Sequence, residues 1–238
     1  MKNKLSKRVM AGSMAAVLAA VGAGTYGFEQ KSMSEVKAEE EDTETLKEAA
    51  ETVLGDTTTE SNGETYKDES VYVNADASGK VKKTTVTEWL KNTEKGSVDD
   101  ETVLEDVENV KGNEKYKEGS DDSIVWESKG KDIYYQGTTT KDLPVSMEIK
   151  YYLNGTQVNP DDLGGKSGHL KIEVAYKNNV KNKTKVGNKT TDLYAPFVMV
   201  TAMILPTDNF TNVTIDNGKI LSDGQRNIVV GVGMPGLA

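Results

Sequence analysis

The chain has 238 residues, with 29 Lys and Arg against 38 Asp and Glu, one His and no Cys. That inventory excludes a disulfide framework, a lipid anchor on cysteine and any zinc site built from several His or Cys. The acidic balance disfavours nucleic acid as a partner, because phosphates need a basic surface.

Lys2, Lys4, Lys7 and Arg8 form a basic head, and the stretch from Val9 to Phe28 carries no charge. A basic head, an apolar run and a small-residue cleavage signal make residues 1–38 a signal peptide. Val36-Lys37-Ala38 is the expected cleavage site, with Val21-Gly22-Ala23 a weaker one. The alternative is an uncleaved anchor, since about 20 apolar residues can span a bilayer. Gly12, Gly22, Gly24 and Gly27 weaken its insertion. Either way the folded part is expected outside the cytoplasm, at the cell surface or secreted. Beyond residue 38 there remain 23 basic and 36 acidic residues, a net charge of −13.

Residues 39–70 read as an acidic linker, with 12 acids against Lys47 and Lys67. So few apolar side chains cannot offset the entropy of ordering the chain. Within it Leu46, Ala49, Ala50, Val53 and Leu54 recur at helical spacing and end at Gly55.

Residues 71–122 read as a β-hairpin followed by an irregular or short helical segment. Val71-Tyr72-Val73 and residues 81–86 are its strands, with a turn at Asp76-Ala77-Ser78-Gly79. Residues 87–92 are expected as a turn of helix or an extended exit, and 103–112 as a weakly amphipathic helix or loop.

Residues 123–238 read as a β-sandwich. Ile124-Val125-Trp126-Glu127, a Ser-Lys-Gly-Lys turn and residues 132–136 suggest a hairpin. Val145, Met147, Ile149, Tyr151 and Leu153 alternate with polar neighbours, which places one face in the core. Asn154-Gly155 is the strongest short hairpin-turn signal. Leu170, Ile172, Val174 and Tyr176 repeat the alternation. Residues 193–205 are nearly all apolar and are expected as a strand buried on both faces or crossing between sheets. Residues 210–215 and 219–221 suggest another hairpin around Asp216-Asn217-Gly218, and 226–232 a last strand. The fold class expected is mainly β, an immunoglobulin-like antiparallel sandwich. The sequence ends in Met234-Pro235-Gly236-Leu237-Ala238, straight after an apolar strand. It is expected to be the N-terminal part of a longer protein; the alternative is a terminal strand tucked into the sheet.

Motifs for chemistry are weak. Gly164-Gly165-Lys166-Ser167-Gly168 resembles the end of a phosphate loop, but Pro160 occupies the position of the required first glycine. Strand residues follow it where a helix is needed, so a Gly-rich turn is expected. His169 has no nucleophile motif beside it and begins a strand, which makes it a surface residue. Asp161-Asp162, Asp216-Asn217 and Asp223-Gly224 lack calcium-loop spacing and suit turns. No catalytic residue, metal site or cofactor is assigned. Tyr134, Tyr135, Tyr151, Tyr152 and Tyr176 stand on strands, and one ring of each adjacent pair must face out. Tyr135, Tyr152 and Trp126 are therefore the candidate binding residues, able to stack on sugars or dock a partner.

The stretches beginning at Val71, Asp132, Tyr151 and Leu163 (VYVNADASGKVKK, DIYYQGTT, YYLNG, LGGKSG) resemble a group of uncharacterised exported envelope proteins of Firmicutes, especially clostridia. That group is distantly similar to the phage-infection-protein group. The likeness runs over residues 71–238 and implies an extracytoplasmic β-rich region, followed in longer members by helical repeats and often a membrane segment. It implies no catalytic residues. The expected function is a non-enzymatic envelope structural or interaction module, with an envelope protein or cell-wall component as partner. A membrane tether would run through residues 9–28 or a missing C-terminal region. The alternative is a carbohydrate- or peptidoglycan-binding module, and a hydrolase is the weakest reading.

Overall fold

A computed structural model of the chain describes residues 11–12, 45, 49, 66–91, 96–120, 122–194 and 198–233. The chain is mainly β, built from antiparallel sheets, and divides into two units. Of the described residues, 66–72 and those within 84–140 belong to the first, and 73–83 with those within 141–233 to the second. Apart from Ala11 and Gly12, the signal segment lies outside the described residues. Of the helical pattern after it, Thr45 and Ala49 are helical and Ala49 is buried.

The first eight strands are β1 (Ala11–Gly12), β2 (Tyr66–Ala75), β3 (Val81–Lys91), β4 (Val98–Glu101), β5 (Glu105–Asn109), β6 (Tyr116–Glu118), β7 (Ser123–Trp126) and β8 (Ile133–Thr138); they belong to the first unit except for residues 73–75 of β2 and 81–83 of β3. One sheet has the order β1-β2-β3-β8-β5, the other β4-β7-β6. Leu90, Val98, Ile124, Trp126, Ile133 and Tyr135 form the core, with Leu104, Val107 and Tyr116 packed against it. Period-two alternation builds it: Thr84, Val86, Glu88 and Leu90 on β3 all point inward, as do Ile133 and Tyr135 on β8.

Counting β2 to β8 as first to seventh, the sheets run first-second-seventh-fourth and third-sixth-fifth. An immunoglobulin constant-type sandwich runs first-second-fifth-fourth and third-sixth-seventh. The four-plus-three division is shared, but the fifth and seventh strands have exchanged sheets.

In the β2–β3 hairpin the turn is at the expected place. Asp76 Oδ1 accepts from the Ser78 and Lys80 amides at 2.9 and 3.1 Å, and Gly79 takes the left-handed φ of 85° that closes it.

Several local expectations give way. Strand β2 begins at Tyr66, so the last residues of the acidic linker are sheet. Residues 87–91 are extended, the second of the two expected forms, whereas 105–109 form an edge strand rather than a helix or loop, with a register shift between Glu105 and Glu108. Strands β7 and β8 do not pair as a hairpin. They enter opposite sheets, because Trp126 and Tyr135 stack across the core with ring centroids 5.2 Å apart. Residues 123–138 thus complete the first unit instead of opening the second.

The second unit holds β9 (Val145–Leu153), β10 (Thr156–Val158), β11 (Leu170–Asn178), β12 (Lys181–Val186), β13 (Lys189–Tyr194), β14 (Met199–Pro206), β15 (Gly218–Ser222) and β16 (Arg226–Gly233). Its sheets are β10-β9-β11, β12-β13 and β14-β16-β15. Asn154 and Gly155 make the β9–β10 turn with φ of 51° and 83°. Ile172 lies opposite Tyr151, Val174 opposite Ile149 and Tyr176 opposite Met147, so the two alternating faces meet on one side as expected. Ile172 and Val174 pack against Met203, Leu205 and Val229, and the Tyr151 hydroxyl donates to Ala77 O at 2.7 Å. Strand β14 is buried on both faces, as expected. However, the run 193–205 is not one strand: β13 ends at Tyr194 and β14 starts at Met199. Residues 210–215 are irregular rather than strand, although Phe210, Val213 and Ile215 still pack on the core.

Ile172→Ala should cost about 2–4 kcal/mol as a large-to-small core change. Lys171→Ala, on the exposed side of the same strand, should change stability by less than about 0.5 kcal/mol. Urea denaturation of the two variants checks this, and equal effects would refute the register.

Candidate functional site

The most distinctive chemistry lies inside the first unit. Lys67 on β2, Glu88 on β3, Asp100 on β4 and Tyr135 on β8 all take inward positions and converge. The Lys67 ammonium donates to Asp100 Oδ1 and Oδ2 at 3.2 and 3.0 Å, and lies 3.2 Å from Glu88 Oε1. It also reaches Glu101 O at 3.4 Å. The Tyr135 hydroxyl donates to Asp100 Oδ2 at 2.6 Å. The side chains of Lys67, Glu88 and Asp100 are 15%, 4% and 2% exposed. Glu88 Oε2 is buried without a hydrogen-bond partner.

One cation therefore faces two buried carboxyl groups. Burial pushes the Glu88 carboxyl up to about 8 despite the pull of Lys67, with Glu69 and Asp100 adding to the rise. Burial alone would lower the Lys67 ammonium, but Glu88 and Asp100 outweigh it and leave its pKa raised. The Tyr135 phenol is raised by burial and by Asp100.

A raised carboxyl has a definite stability sign. Between the ordinary carboxylate value of 4.5 and about 8, the folded unit keeps a proton that the unfolded chain releases. Glu88's contribution is full below the lower value and is lost as pH rises through the upper one. Denaturation at about pH 5 and about pH 8 should show the first unit weakening across that interval, and Glu88→Gln should flatten the dependence. An unchanged pH profile in Glu88→Gln would contradict the assignment.

The sequence-derived binding residues separate. Trp126 and Tyr135 are both 0% exposed, at the centre of the first core. Neither can serve as a surface contact. Their strands alternate in the opposite phase to that expected, because Ile133 and Tyr135 both face the β4-β7-β6 sheet. Tyr152 stays on the outer face of β9, half-buried, with the Lys171 ammonium 5.8 Å from its ring centre.

Trp89 and Tyr134 are outward rings of the first unit, paired across β3 and β8. They stack with centroids 5.3 Å apart and planes at 12°. Lys91 lies over the Trp89 ring at 5.5 Å and Lys111 over the Tyr134 ring at 4.2 Å. Trp89 Nε1 donates to Asp132 Oδ2 at 3.1 Å. The result is a half-buried cationic–aromatic strip on an outer sheet face.

His169 is exposed, and its amide donates to Asn154 Oδ1 at 2.9 Å. Gly164 to Gly168 form a turn region after a short 3-10 helix, Pro160–Leu163, and lead into β11. Asp223 Oδ1 accepts from the Gln225 and Arg226 amides, the ordinary work of a turn residue. Among the described residues no group of three or more His, Asp or Glu converges as metal ligands, and no helix is long and apolar enough to cross a membrane.

No protein-family model matches the chain, and comparison with curated proteins and with solved structures finds no significant match.

Proposed function

We propose that the chain is an exported cell-envelope interaction module that performs no catalytic turnover on a substrate. The observation that carries the reading is the Trp89–Tyr134 strip with Lys91 and Lys111 above its rings. Trp and Tyr are among the residue types that anchor protein interfaces, and here they stand half-buried on an outer sheet face. Export is supported by the basic head and the uncharged run at residues 9–28, and by the likeness to exported Firmicute envelope proteins. A net charge of −13 beyond residue 38 argues against polyanionic partners. The partner class is an envelope protein. Membrane attachment would run through residues 9–28 or a following C-terminal region.

The carbohydrate reading is the alternative. A sugar binds by lying on an open ring face, whereas here each ring stacks on the other and carries a lysine. The strip therefore favours protein.

Sedimentation with purified cell-wall sacculi, in parallel with capture of detergent-solubilised envelope proteins, separates the two. Trp89→Ser with Tyr134→Ser should reduce protein capture about tenfold or more, as expected of anchor residues. Undiminished capture would sink the strip, and binding to sacculi alone would favour the sugar reading.

A further inference from the structure

The buried cluster has a geometry that an ordinary ion pair does not need. One amine is held against both oxygens of one carboxyl group, and a second carboxyl group touches the same amine from another strand. A phenol hydroxyl is fixed on the acceptor carboxyl.

We propose that Lys67 and Asp100 form an intramolecular amide cross-link, with Lys67 Nζ bonding to Asp100 Cγ, Glu88 moving the protons and one water leaving. The bond would join β2 of one sheet to β4 of the other inside the first unit.

The steps balance without a co-reactant. Glu88 starts protonated; the ammonium passes one proton directly to Asp100 Oδ1, 3.2 Å away, which frees the nitrogen lone pair. That lone pair attacks Asp100 Cγ, and the C–N bond forms. Negative charge gathers on Oδ2, where the Tyr135 hydroxyl already donates at 2.6 Å and stabilises it. Glu88 passes its proton to Oδ1, which then carries two, and takes the second proton from the nitrogen, 3.2 Å from its Oε1. The Cγ–Oδ1 bond breaks and Oδ1 leaves as water. An ammonium and a carboxylate become a neutral amide and water, nothing is oxidised or reduced, and Glu88 ends as it began.

Three physical features favour the reaction here over the same pair in water. The reactants are held at contact distance by three strands, which replaces a bimolecular encounter. The pair is desolvated, and forming the amide removes two buried charges whose burial is unfavourable. Burial also keeps the Glu88 carboxyl protonated at neutral pH, which suits it to act first as acid and then as base. Asp100, rather than Glu88, is the acceptor because both its oxygens lie within 3.2 Å of Nζ and one is polarised by Tyr135. The free oxygen of Glu88, buried without a partner, is open to shuttle protons. The proposal stands independently of the binding role above.

Peptide mass spectrometry on the folded full chain tests it. After denaturation and tryptic digestion, the peptide containing Lys67 should be joined to the one containing Asp100, one water lighter than their sum. Trypsin should not cut after Lys67. Recovery of the two peptides only separately, from folded protein, would overturn the proposal, as would a link to Glu88. Lys67→Arg should abolish the linked peptide. Glu88→Gln, with circular dichroism unchanged, should slow linkage at least about a hundredfold, the scale of general acid–base assistance. Linkage in Glu88→Gln at the wild-type rate would remove Glu88 from the mechanism.

Discussion

Lys67→Met should destabilise the first unit by about 3–5 kcal/mol, the usual result of removing one partner from a buried ionic cluster. Lys67 Nζ lies 3.2 Å from Glu88 Oε1 and 3.0 Å from Asp100 Oδ2. Without it, two carboxyl groups share a site with little solvent, and one or both must be protonated. Equilibrium denaturation in urea, followed by the fluorescence of Trp126 and Trp89, measures the loss. The informative control is the combined variant Lys67→Met, Glu88→Gln and Asp100→Asn. Neutralising the whole cluster removes the charges together, so it should cost less than Lys67→Met alone. A Lys67→Met chain as stable as the wild type would show that the cluster is solvated.

Trp126→Ala should cost about 3–5 kcal/mol, the upper range for large-to-small core changes. Its ring is fully buried, stacks on Tyr135 at 5.2 Å and meets Tyr116 at 4.9 Å. Removing it leaves a cavity between the two sheets where Leu90, Ile124 and Ile133 also pack. Trp126→Phe should be far milder. It keeps an aromatic in the stack and removes an indole N–H that is buried without a partner. Equal losses for the two variants would indicate that shape, not aromatic volume, decides packing here.

The fold was legible wherever local pattern and tertiary placement agree. Val145 to Leu153 and Leu170 to Asn178 alternate strictly, and their pairing follows, Ile172 opposite Tyr151. The Asn154-Gly155 and Asp76–Gly79 turns carry their own chemistry and fall where expected. Legibility failed where tertiary contacts decide. The segment 123–138 looks like a hairpin because two β-rich runs flank a Gly-containing turn. Ser128 to Lys131 does turn, with Lys129 and Gly130 at positive φ, yet the strands part into opposite sheets. Loop chemistry fixes a reversal but not which neighbour each strand takes. Strands β4, β6 and β12 were missed because short or charge-rich segments carry little apolar period.

The buried cluster was missed for a related reason. Lys67 and Glu69 looked like solvated linker because both are charged, although they are in phase with Val71, Val73 and Ala75. Glu88 sits between Val86 and Leu90 on the inward phase of β3, and Asp100 two positions after Val98 on β4. A charge on the apolar phase of a strand was the available signal. For the aromatics, the rule that one ring of each adjacent pair faces out is met by Tyr134 and Tyr152. Choosing between Tyr134 and Tyr135 required the phase of β8, which Ile133 sets by being buried.

The central claim is that this is an exported envelope module, and the place of the native chain in the cell tests it most directly. Fractionation into cytosol, membrane, wall and medium, with the N-terminus of the recovered protein sequenced, gives the answer. The account predicts the chain in an extracytoplasmic fraction, either beginning near Glu39 or retained in the membrane with residues 9–28 intact. Full-length native chain residing in the cytosol would contradict it.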